Sequence, residues 1–153
     1  MRACQMKRAL PTIMLVVTSM LVLRGVTPGE AGTVPPMHAQ PTCTDASLHG
    51  SYGYSFDGTV VDIGPAAGSG VITFDGEGHL SGADTLSLNG TIIPRTLTGT
   101  YTVQANCTGS VTLEVSTGDL FHLAFVSVDS GRELRFIQTD AGTVITGAAI
   151  RSP

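Results

Sequence analysis

Beyond residue 40 apolar and polar side chains alternate with a period of two, and the alternation breaks at Gly, Asn and Asp. Half-buried strands joined by tight turns leave this pattern. No stretch there sustains the 3.6-residue period of a helix. The pattern predicts strands near 48–56, 59–63, 69–75, 79–88, 91–104, 110–116, 119–128, 132–139 and 143–151. The expected connections are short and rich in turn-forming residues: Asp57-Gly58, Asp75-Gly76-Glu77-Gly78, Asn89-Gly90, Asn106 to Gly109, Thr117-Gly118, Ser130-Gly131 and Ala141-Gly142. Eight or nine strands in succession form an antiparallel meander, because no segment could supply the crossover helix that parallel pairing requires.

The alternation also assigns faces. Tyr52, Tyr54 and Phe56 share one side, with Gly53 and Ser55 on the other. Val111, Leu113 and Val115 oppose Thr112 and Glu114; Phe121, Leu123 and Phe125 oppose His122 and Ala124; Leu134 and Phe136 oppose Arg135. All 3 tyrosines and 5 phenylalanines lie in predicted strands, so they are core residues first. A long meander must dispose of two edge strands, and closing into a β-barrel does so. A two-sheet β-sandwich is the alternative, since alternation does not reveal closure. An outer-membrane barrel would place apolar residues outward with aromatic girdles at the strand ends; here the outer positions are rich in Thr and Ser.

The start of the chain bears on compartment. Lys7 and Arg8 precede an apolar run from Ala9 to Leu23, a length of about 15 residues that suits a signal-peptide core and falls short of a membrane span. Residues 1–31 are therefore expected to be a signal peptide, cleaved after Ala31 or after Ala39, with a flexible Pro/Gly-rich segment over 32–42 and one barrel domain over 43–151. This predicts a secreted or periplasmic protein with no stable membrane anchor after cleavage. Cys4 would leave with the signal peptide, and in an exported chain the remaining pair, Cys43 and Cys107, reads as a disulfide. Beyond residue 31 eleven acidic side chains face four arginines, a net charge of −7, with no lysine after Lys7. Such a surface repels phosphate backbones, so nucleic acid is not an expected partner.

Several short motifs invite chemistry and each has a plainer reading. Asp129-Ser130-Gly131 resembles the aspartic-protease signature, but that chemistry needs two such aspartates and a long cleft region downstream, so a hairpin turn is expected. Asp75-Gly76-Glu77-Gly78 resembles the start of a calcium loop without the remaining ligands. His49, His79 and His122 fall on different strands with no ligand spacing. Ser81 misses the nucleophile-elbow spacing, and Gly68-Ser69-Gly70 lacks the Lys of a phosphate loop. No catalytic residue, metal site or cofactor is expected on these grounds. What remains is the inward aromatic set, Tyr52, Tyr54, Phe56, Tyr101, Phe121, Phe125 and Phe136, which would line an apolar cup if the barrel does not fill.

The combination of Cys43-Thr44, L-H-G-S-Y-G at 48–53, T-F-D-G-E-G-H-L-S-G at 73–82, L-N-G-T at 88–91, T-G-T-Y-T-V at 98–103, C-T-G-S at 107–110 and I-Q-T-D at 137–140 resembles a group of short exported bacterial β-barrel proteins with no assigned activity. In overall pattern the chain is similar to the calycin barrels, lipocalins among them, although it has no tryptophan for the G-x-W signature. That resemblance implies a barrel and transfers no catalytic residue. The expected function is binding of a small apolar or amphipathic ligand. The alternatives are a barrel isomerase or cyclase, which would need Glu114, Arg135 or a histidine inside, and a surface protein that contacts other proteins. The strand phase puts Glu114 and Arg135 outside.

Overall fold

A computed structural model describes residues 42–153; the expected signal peptide, its cleavage sites and residues 32–41 lie outside the described residues. Eight strands follow one another: β1 (His49–Val60), β2 (Gly64–Asp75), β3 (His79–Leu88), β4 (Thr91–Val103), β5 (Thr108–Val115), β6 (Leu120–Val128), β7 (Glu133–Gln138) and β8 (Thr143–Arg151). Each pairs antiparallel with the next, and β1 also pairs with β8 from Tyr52↔Arg151 to Val60↔Thr143, which closes the barrel. The sandwich alternative is thereby overturned, because closure leaves no edge strand.

The separate strand expected at 59–63 does not exist. Thr59 and Val60 complete β1, and the chain reverses at Val61 to Ile63, where Asp62 takes a left-handed φ of 65°. Asp57-Gly58, read as a turn, sits inside the strand, with Asp57 opposite both Ala67 and Thr146. The glycine is there for close packing: a Cβ at Gly58 would stand 1.9 Å from the Val144 carbonyl oxygen. β2 also begins earlier than the composition of Gly64-Pro65-Ala66-Ala67-Gly68 implies.

The two barrel ends differ. At one end the chain enters through a 3-10 turn, Asp45–Ser47, and Leu48, fully buried, plugs the opening. The Cys43–Cys107 disulfide, with Cα atoms 5.0 Å apart, ties this entry to the β4–β5 turn, as expected. Asp45 adds a second tie by accepting a hydrogen bond from the Val103 N–H. Beneath this cap Tyr52, Phe74 and Tyr101 pack edge to face, with centroids 5.2 and 5.0 Å apart, among Leu80, Leu113 and Leu134. The other end carries the β1–β2, β3–β4, β5–β6 and β7–β8 turns, and no chain segment among the described residues crosses it.

Candidate functional site

The uncapped half of the barrel holds a cavity of about 300 Å³, at the lower limit of small-molecule sites. All eight strands contribute to its wall, which is mostly apolar, and Val60, Ile63, Leu88, Ile93, Thr117 and Thr143 mark the mouth.

The lumen stays open because of what the wall lacks. Phe56 lies opposite Gly68, Phe125 opposite Gly109, and Phe136 opposite Gly147. A Cβ at Gly68 would meet Phe56 Cζ at 2.4 Å; at Gly109 or Gly147 it would meet Phe125 or Phe136 Cζ at 2.3 Å. Each ring therefore lies back over a glycine on the neighbouring strand and lines the wall, so its volume does not fill the centre.

Five of the seven aromatics expected on the inward face, Tyr54, Phe56, Phe121, Phe125 and Phe136, line the cavity. Tyr52 and Tyr101 do not. They point inward, but toward the capped end, where their hydroxyls find carbonyl partners: Tyr52 donates to Gly131, and the Tyr101 proton is shared between Asp45 and Leu48 while its oxygen accepts from the Gly76 N–H at 3.0 Å. A buried phenol requires such partners, and the cap supplies them where the lumen has few. Burial raises both phenols above their ordinary pKa.

The polar centre of the cavity was not anticipated from the sequence. Asp84 on β3 and Arg95 on β4 stand opposite each other in the register, with side chains only 1% and 8% exposed. Arg95 donates from Nε to Asp84 Oδ1 at 2.9 Å and from Nη2 to Oδ2 at 2.5 Å, a two-pronged pair. Tyr54 donates to the same Oδ2 at 2.8 Å. Burial, together with that hydrogen bond, pushes the Tyr54 phenol far above its usual range. Tyr54, Gly70, Asp84 and Arg95 form one row across β1 to β4. Gly70 makes the reach possible, since a Cβ there would stand 2.5 Å from Asp84 Cβ. The guanidinium carbon lies 5.9 Å from the Phe56 ring centre and 5.8 Å from that of Phe121, which holds it between two ring faces.

A signal for this pair was present. Asp84 shares parity with Leu80, Leu86 and Leu88, and Arg95 shares it with Ile93, Leu97 and Tyr101. A two-residue turn at Asn89-Gly90 sets residue 84 against 95.

The remaining candidates lie outside the lumen. Glu114 and Arg135 are exposed, as are His49, His79 and His122. His122 Nδ1 is 2.7 Å from Asp140 Oδ1. Among the described residues no group of three or more His, Cys, Asp or Glu side chains is placed to share a metal. Asp75 is committed to its own turn: Oδ1 accepts from the Glu77 and His79 N–H groups at 2.7 and 3.0 Å, and these bonds hold its carboxyl below the usual range. Asp129 to Gly131 form a tight turn with positive φ throughout, and Gly131 presses on the cap near the Ser47 carbonyl.

No family model matches the chain, and no curated protein matches it. Among solved structures it is similar to a redesigned β-barrel, at 19% identity and TM-score 0.54, covering 71% of this chain and 95% of that one. It is also similar to a de novo designed fluorescence-activating β-barrel, at 15% identity and TM-score 0.53, covering 72% of this chain and all of the design. Both likenesses are of fold. Among the described residues no helix is long and apolar enough to cross a membrane.

Proposed function

We propose that the protein is an exported, calycin-like barrel that takes a small apolar or amphipathic molecule into the uncapped half of its lumen. The observation that carries this reading is the cavity itself, apolar over most of its wall with one convergent polar group at Tyr54, Asp84 and Arg95. The disulfide supports an oxidising compartment, in keeping with export.

Binding accounts for the polar group better than isomerase or cyclase chemistry does. Both Asp84 oxygens already accept strong hydrogen bonds, and the Tyr54 proton is held by a carboxylate in a buried site. Three of the four lone-pair positions of Asp84 are engaged, and a general acid needs a pKa near the working pH, which the raised Tyr54 phenol does not have. Native mass spectrometry of protein purified from its own host tests the reading. A retained small molecule supports it; a ligand-free spectrum, with no chemical-shift changes at lumen methyl groups during titration with apolar probes, rejects it.

A second reading has one observation behind it. Val61, Ile63, Ile92, Leu120 and Val144, each more than half exposed, stand around the mouth on different turns and strand starts. This apolar collar favours contact of the mouth with another protein or apolar surface. Loss of that contact on replacing collar residues by serine, with the barrel intact, is the measurement that separates it from simple carriage.

A further inference from the structure

We infer that the cavity selects neutral molecules bearing a hydrogen-bond acceptor, such as a ketone, aldehyde, lactone or ester, and discriminates against carboxylates of the same size. The inference rests on the proposed reading of the lumen as a ligand site and specifies its chemistry.

The argument begins with unused donors. Arg95 engages Asp84 through Nε and Nη2, and Nη1 has no hydrogen-bond partner among the described residues. Nor is Nη1 sealed inside protein, because Ser127 Oγ is the one fully enclosed side-chain polar atom without a partner among the described residues. Arg95 lines the cavity, so the free N–H groups open onto it. Phe56 and Phe121 flank the guanidinium and also line the lumen, leaving an approach to Nη1 between apolar surfaces. A ligand oxygen can accept there while its hydrocarbon portion extends toward the mouth past Leu86, Leu88 and Ile93.

Charge then decides which oxygen. Asp84 already balances Arg95, and the pair is net neutral in a site shielded from water. A carboxylate entering this lumen would leave one negative charge without a counter-ion and would face Asp84 across the same guanidinium. Its hydration would be lost without full replacement. A carbonyl oxygen gives up far less hydration and gains a charge-assisted hydrogen bond. An ammonium head fares no better than a carboxylate: Arg95 repels it, and the Asp84 oxygens are occupied by Arg95 and Tyr54.

The test uses three ligands of one chain length, nonan-2-one, nonanoate and nonylammonium, titrated calorimetrically into the whole exported protein at about pH 8, where the acid is ionised and the amine protonated. The expected result is that nonan-2-one binds at least about tenfold more tightly than either charged analogue. Tighter binding of nonanoate overturns the inference. Equal binding of all three also overturns it, while leaving the lumen as an undiscriminating apolar site. Binding of none overturns the ligand-site reading and the inference together. Asp84→Asn supplies the converse: with its fold verified by circular dichroism, the variant leaves Arg95 without its counter-charge, and the preference should turn toward nonanoate by about tenfold or more. A folded variant that keeps the ketone preference refutes the role given to Asp84. If the variant does not fold, the three-ligand comparison on the unaltered protein decides alone.

Discussion

The capped and uncapped halves of this barrel are built from the same eight strands, yet their inward residues do opposite work. In the capped half Leu48, Tyr52, Phe74 and Tyr101 interlock, and every phenol there is tied to a backbone group of an entering or turning segment. In the uncapped half Phe56, Phe125 and Phe136 lie back on glycines, and the buried Asp84–Arg95 pair turns an unused face to open space. Both halves close through main-chain ladders. What differs is whether side chains meet across the centre: they interlock at one end of the cylinder and leave open space at the other.

The strongest way to break this contrast is to release the cap. Replacing both cysteines by serine removes a link between residues 64 apart and should lower unfolding free energy by about 4 kcal/mol, read from denaturant midpoints. Leu48→Ala should follow, at about 3 kcal/mol, because the plug is fully buried. The matching truncation at the mouth, Ile63→Ala, should cost less than about 1 kcal/mol, since that side chain is 52% exposed. Equal losses at the two positions would abolish the distinction drawn here. Gly147→Ala should cost about 1–3 kcal/mol, because its Cβ would stand 2.3 Å from Phe136 Cζ and 2.4 Å from the Ser55 carbonyl oxygen. It should also narrow the lumen, visible as weaker binding of whatever probe the native protein accepts.

The mildest test is alkaline titration. Tyr52, Tyr54 and Tyr101 all have raised phenol pKa values, burial being the first cause in each. Unfolded phenols ionise near about pH 10, so the stability these groups contribute is whole below that pH and falls as pH rises through their folded values. Phenolate absorbance should therefore appear only together with loss of the strand circular-dichroism signal. Ionisation of all three near pH 10 in an intact barrel would refute their burial.

The sequence made the strands legible wherever side chains on both faces differ in polarity, as in Val111 to Val115 and Phe121 to Phe125. It misled where glycine served packing and not reversal. Asp57-Gly58 reads as a hairpin turn by composition, and only the neighbouring β8 backbone shows why the glycine is there. The start of β2, all Gly, Pro and Ala, has no alternation to read because its strand character comes from backbone pairing with β1 and β3. Alternation told inward from outward but not height along the axis, which separates Tyr52 and Tyr101 from Tyr54. That height depends on which end the disulfide and Leu48 close. Asp84 and Arg95 were readable in parity and register; they were missed because a charged residue at an inward position is recognisable only once its partner has been placed.

The phenylalanine-over-glycine pairs carry one more consequence. Residues that do not themselves line the lumen set its size, by leaving room in the wall for a ring to recline. Exchanging glycine for alanine on a neighbouring strand would change the size of the lumen without altering Tyr54, Asp84 or Arg95. Engineers seeking a lumen of different size would do well to begin with Gly68, Gly109 and Gly147.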